Sequence, residues 1–142
     1  MAVNDELRDM VAASCARVLT AIDEAPDDDA FVTTQDASGK TAADYSLLVA
    51  QDKAGLAAGL GATSVSPVPP AFSTRDQAKT TISQVEQNLE DAILRMVPDD
   101  YWKPPSTLGY PINCDLDTYY DCVVAHSGRD VERADTITAI FA

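Results

Sequence analysis

Apolar residues recur at three- and four-residue intervals through four stretches of this chain, and proline or glycine interrupts the pattern between them. That periodicity predicts helices over residues 4–24, 41–60, 73–97 and 115–141. No alternating β pattern of useful length occurs, and there is no internal repeat or low-complexity stretch. The expected fold class is all-α, a four-helix bundle forming a single domain over residues 1–142.

Local signals support these boundaries. Asn4 reads as an N-cap, and Asp5 and Glu6 suit the positive end of the first helix, whose stripe is Leu7, Met10, Val11, Ser14, Val18 and Ile22. Pro26 and the acidic run Asp27–Asp29 end it. Thr41 and Asp44 form a capping-box pair, and Tyr45, Leu48, Val49, Leu56 and Leu60 make the second stripe. Gly59 and Gly61 close that helix, while Gly55 inside it suggests close packing. Pro67, Pro69 and Pro70 mark an extended connector. Ser73 with Asp76 reads as a second capping box, before the stripe Ala78, Ile82, Val85, Leu89, Ile93 and Met96. Pro98 ends that helix. The connection 98–114 carries Tyr101, Trp102 and Tyr110, which suit a binding wall or a hydrophobic cap on the end of the bundle.

Composition narrows the partners. With 46% hydrophobic residues the chain can build a core, and a formal net charge of -13 repels nucleic-acid phosphate and anionic lipid. No nucleic-acid or membrane partner is therefore expected. Cys15, Cys114 and Cys122 are odd in number and lack C-x-x-C spacing, which argues against a disulfide framework and a structural zinc site. No basic region precedes an apolar run at the start, and no apolar run could span a bilayer, so the expected compartment is the reducing cytoplasm.

The last helix carries the candidate chemistry. Leu116, Tyr119, Val123, Ile137 and Phe141 share one stripe, and Asp117, Asp121, Glu132 and Asp135 lie opposite. The only histidine, His126, sits one turn from Asp130 on the apolar side. Such a pair can ligate a metal, share a proton or simply hydrogen-bond in a wet core. Asp52, on the apolar stripe four residues after Leu48, is the candidate third ligand. Cys122, one turn before His126, could be a nucleophile or a packing residue. Arg133 could bind a substrate carboxylate or reach an acidic neighbour. Tyr45, Trp102 and Tyr110 complete the candidate substrate-binding set. The acids at 27–29, 99–100, 117 and 121 read as solvated charges without chemistry.

The segments T-A-A-D-Y-S-L-L-V-A-Q-D (41–52) and V-V-A-H-S-G-R-D-V-E-R-A-D-T-I (123–137), with the V-P-D-D-Y-W turn between them, give the chain a resemblance to the DinB-like superfamily. That group includes mycothiol- and bacillithiol-dependent transferases and a mycothiol-dependent maleylpyruvate isomerase. The resemblance implies a divalent metal held by one histidine on the second helix and an H-x-x-x-H pair on the fourth. Here those positions fall on Leu48, His126 and Asp130, so the implied site is degenerate. Two functions follow as expectations. The first is a protein with a lapsed metal site that binds a small molecule or forms a homodimer, with no tightly bound cofactor. The second is a metal-dependent thiol S-transferase or isomerase, with zinc, nickel or iron held by His126, Asp130 and Asp52. Its partner would be a low-molecular-weight thiol.

Overall fold

A computed structural model describes residues 2–142. Among them the chain is all-helical: α1 (Val3–Ile22), α2 (Asp28–Thr33), α3 (Ala42–Gly59), α4 (Arg75–Arg95) and α5 (Tyr119–Ile140), with a 3-10 turn at Pro98–Trp102. The four long helices coincide with the four periodic stretches. Each packs mainly on two others, so that α1, α4, α3 and α5 follow one another around a ring, with α1 on α5 and α3 on α4 the most extensive seams. No helix among the described residues is long and apolar enough to cross a membrane.

The helix ends follow their local chemistry, with four departures from the sequence reading. Thr41 and Asp44 do form the reciprocal capping box of α3. The α3 C-terminus closes as a Schellman motif: Gly61 has φ +89°, its N–H reaches the Ala58 carbonyl at 3.0 Å, and Ala62 N–H reaches that of Ala57 at 2.9 Å. The first departure is Asn4, which does not cap its own helix. Ala2 occupies that position, and Asn4 is buried inside α1, where its Nδ2 donates to the carbonyls of Ile93 at 2.9 Å and Met96 at 2.7 Å. It thus satisfies the exposed carbonyl end of α4, about 90 residues away in sequence. The second departure is at α4, where the cap is Thr74 and not Ser73: Thr74 accepts from Gln77 N–H, and Gln77 Oε1 accepts from Ser73 N–H at 2.7 Å. The third is the acidic run 27–29. It does not merely end α1 but starts α2, with Asp27 accepting from Ala30 N–H at 2.7 Å. The fourth is at α5, which starts at Tyr119 behind a Thr118 cap and leaves Leu116 exposed and off the helix.

Two apolar clusters fill the ring. One lies toward α2 and joins Val18, Ile22, Phe31, Val49, Ile82, Val85 and Ile137. The other lies at the opposite end and joins Leu7, Val11, Leu56, Leu60, Leu89, Ile93, Tyr101, Tyr119 and Val123. On α3, α4 and α5 a buried polar residue falls between the contributions to each cluster: Lys53, Glu86, and His126 with Asp130. The middle of the core is therefore ionic.

Candidate functional site

That ionic layer is organised by a residue that the sequence reading passed over. Lys53 is fully buried, and its ammonium lies 2.5 Å from Asp130 Oδ2, 2.8 Å from Glu86 Oε1 and 3.3 Å from His126 Nε2. An ammonium only donates, so His126 Nε2 accepts from it and the ring proton sits on Nδ1. Nδ1, Asp130 Oδ1 and Glu86 Oε2 have no hydrogen-bond partner among the described residues.

The charges in this layer follow from burial and proximity. Burial alone would neutralise Lys53, but the Asp130 carboxylate raises it well above the ordinary lysine range, so it stays an ammonium. Burial pushes Glu86 up to about 8, with Glu90 adding to the shift and Lys53 opposing it. Burial holds His126 below its usual range, against the pull of Asp130. Burial works against the Asp130 charge too, but the adjoining Lys53 ammonium keeps it ionised, with its pKa below the ordinary aspartate value. At neutral pH, with the imidazole uncharged, Lys53 is the charge that stabilises Asp130. The layer is a lysine–aspartate ion pair flanked by a protonated glutamic acid and a neutral imidazole. Cys15 is buried beside it, and burial pushes its thiol up to about 12, which leaves it unreactive.

The sequence pairing of His126 with Asp130 on the inner face is observed: both are fully buried, and His126 Nε2 lies 3.4 Å from Asp130 Oδ2. Asp52 does not join them. It is half-buried, with a carboxylate held by Arg129 Nε at 3.0 Å and an Arg133 terminal amino group at 2.5 Å. Desolvation opposes its charge, but Arg133 and then Arg129 more than offset that and lower its pKa. Of the expected α3 stripe Val49, Leu56 and Leu60 do face inward, with Lys53 among them, while Tyr45, Leu48 and Asp52 sit on the flank. Arg133 turns to this acidic neighbour and to the Leu48 carbonyl, at 3.4 Å. No group of three or more His, Cys, Asp or Glu is arranged to hold a metal ion among the described residues.

The remaining candidates scatter. The Tyr45 hydroxyl binds Asp36 and lies 3.3 Å from Ser38 Oγ, at the start of α3. Tyr110 lies over Gly61 past the other end of that helix. Sixteen residues of helical rise, about 24 Å, separate those two ends. Trp102 is exposed and stacks on Tyr120, with ring centroids 4.9 Å apart. Tyr101 alone of the loop aromatics is a buried cap, with its hydroxyl donating to the Ile93 carbonyl at 2.6 Å. Gly55 is not at a close approach, for a Cβ there would meet nothing within 4 Å. Gly59 is, against Ile112.

The cysteines require a further correction. Cys114 and Cys122 form a disulfide that ties the 103–118 connection to the first turn of α5. The cysteine argument for a reducing compartment fails with it, since such bridges persist where conditions oxidise. The bridge lines a cleft of about 250 Å³ together with Gln51, Asp52, Gly55, Ile112, Asn113 and Arg129. Asp52 with its two arginines carries a net charge of +1, an unusual local excess in a chain of net charge -13. No family model, curated protein or solved structure matches the chain.

Proposed function

We propose that this is a non-catalytic, small-molecule-binding protein of the four-helix-bundle, DinB-like kind, in which a lysine ammonium takes the place of a divalent ion. The observation that carries this reading is Lys53 at the focus of His126, Asp130 and Glu86. The donors do not fit a metal. A divalent ion would have to displace a buried ammonium, with one imidazole, one carboxylate and a carboxyl that burial keeps protonated. Asp52, the third donor the resemblance suggested, is neutralised by two arginines. We derive no reaction through a metal.

The ligand belongs in the neighbouring cleft, where Arg129 offers a cation and Gln51 and Asn113 offer amides. A small carboxylate suits that lining. Tag-free protein, dialysed and then titrated with succinate, tests the proposal by NMR. Amide shifts centred on Gly55, Asn113 and Arg129, lost in R129Q, are the expected result. Zinc, nickel or iron retained near one equivalent after dialysis overturns the ammonium-for-metal reading.

A homodimer is part of the same proposal. Leu94, Val97 and Trp102 expose apolar surface at the end of α4 and the turn after it, Val97 and Trp102 each at 58%. Sedimentation equilibrium at low micromolar concentration is expected to return twice the monomer mass. A monomer there removes the homodimer from the proposal.

A further inference from the structure

The disulfide stands in the wall of a cleft that also holds a cation, and the two cysteines are not equivalent. Cys122 is buried in α5, while Cys114 is only half-buried, on the connection. Arg129 follows Cys122 by two helical turns and lines the cleft with both cysteines. It gives Asp52 its Nε, which leaves the two terminal amino groups for another acceptor, and its side chain is 45% exposed.

We propose that the Cys114–Cys122 bridge is a site of thiol–disulfide exchange whose incoming reagent is a small thiol bearing a carboxylate, steered by Arg129. The thiol loses its proton to solvent and its thiolate attacks Sγ of Cys114, the less buried of the two residues. A bond forms between the reagent and Cys114. The Cys114–Cys122 bond breaks, and its electron pair leaves on Cys122 Sγ, which takes a proton from solvent. A second thiol molecule attacks the mixed disulfide, releases the small-molecule disulfide and leaves both cysteines reduced. The thiol itself is the reductant. Cys15 stays out of the exchange because burial keeps it protonated. Release of Cys114 frees the connection from α5 on the side where it walls the cleft, so the exchange couples ligand access to thiol supply.

Charge makes the test decisive. A protein of net charge -13 repels anionic thiols and attracts cationic ones. A preference for the anion must come from the local arginine. The native protein is treated at low ionic strength with 3-mercaptopropionate, 2-mercaptoethanol and cysteamine, and the mixed disulfide is located by peptide mass spectrometry. Each rate is divided by that for hydroxyethyl disulfide, which cancels intrinsic thiol reactivity. We expect the adduct on Cys114 and a corrected rate for the anionic thiol roughly tenfold above that for the cationic one, reversed in R129Q. A cationic preference in the native protein overturns the proposal, as does a bridge that reacts only when the protein unfolds, or a ratio unchanged in R129Q. The proposal rests on the ligand-binding reading of this cleft, and succinate, which has no thiol, separates the two. Succinate binding without exchange overturns the exchange alone, and failure of both overturns both.

Discussion

The Lys53 ammonium and Asp130 Oδ2 lie 2.5 Å apart, with both side chains at 0% exposure. A buried pair of this kind contributes little against a well-packed apolar alternative, but removal of one partner strands the other charge. K53M is therefore expected to lose about 3–5 kcal/mol at neutral pH in urea unfolding. The double variant K53M/D130L removes both charges and is expected to recover part of that loss. An unchanged midpoint in K53M would mean that the ammonium is not held as described.

Glu86 sets a slope of stability with pH. Its folded value of about 8 lies above the ordinary glutamate value of 4.5, so the folded state holds a proton that the unfolded state has released between those limits. Stability falls as pH rises through that window and levels off above 8. Below pH 6.5 the depressed His126 works in the opposite sense, because the unfolded imidazole takes up a proton that the folded one refuses. From pH 6.5 to 8 Glu86 dominates, with His126 offsetting a few tenths of a kcal/mol at the acid end, and a net loss of about 1 kcal/mol is expected. E86Q should flatten that limb. A native protein equally stable at both ends would show that Glu86 ionises normally in the fold.

Asn4 fastens the start of α1 to the end of α4. Its two bonds to the Ile93 and Met96 carbonyls are lost in N4A, at an expected cost of about 1–2 kcal/mol. Hydrogen exchange at the last turn of α4 should quicken in the variant beyond the change in global stability. Equal changes everywhere would count against a local capping role.

The glycines of α3 make opposite predictions. G55A places a methyl in open space on a helix and should stabilise by up to about 1 kcal/mol. G61A forces an alanine to φ +89° against the Tyr110 ring and should destabilise by at least about 1 kcal/mol. Thermal melts of the two variants that move in the same direction would contradict the α3 geometry.

Sequence periodicity located the four long helices because stripes such as Leu7–Val11–Val18–Ile22 and Ile82–Val85–Leu89–Ile93 have only one apolar side. It failed on α3, where Ala43, Ala50, Ala54, Ala57 and Ala58 surround the helix with small apolar residues and blur the choice between faces. Val49, Leu56 and Leu60 were placed correctly, but continuing the stripe from Leu48 instead of from Val49 brought Asp52 inward and passed over Lys53. The signal was present: Lys53 lies four after Val49 and three before Leu56, and Glu86 lies four after Ile82 and three before Leu89. Two opposite charges on facing apolar stripes suggest each other as partners, whereas each alone reads as a long side chain reaching for water. The bridge from Cys114 to Cys122 was hidden for another reason. Cys114 lies on an irregular connection whose path no periodicity describes, so an odd cysteine count carried more weight than it should have.

The ionic layer between the two apolar clusters also fixes how the helices are aligned along their length. Hydrocarbon side chains tolerate sliding, since one leucine replaces another after a turn. A shift of α3 by one turn, about 5.4 Å, would instead carry the Lys53 ammonium away from Asp130 and Glu86 into one of the flanking clusters. The layer thus works as a key that fits one lock, selecting a single vertical alignment from several that oily contacts alone would permit. A core rebuilt without charges could hold together as firmly and yet lose its unique alignment, visible as doubled methyl resonances.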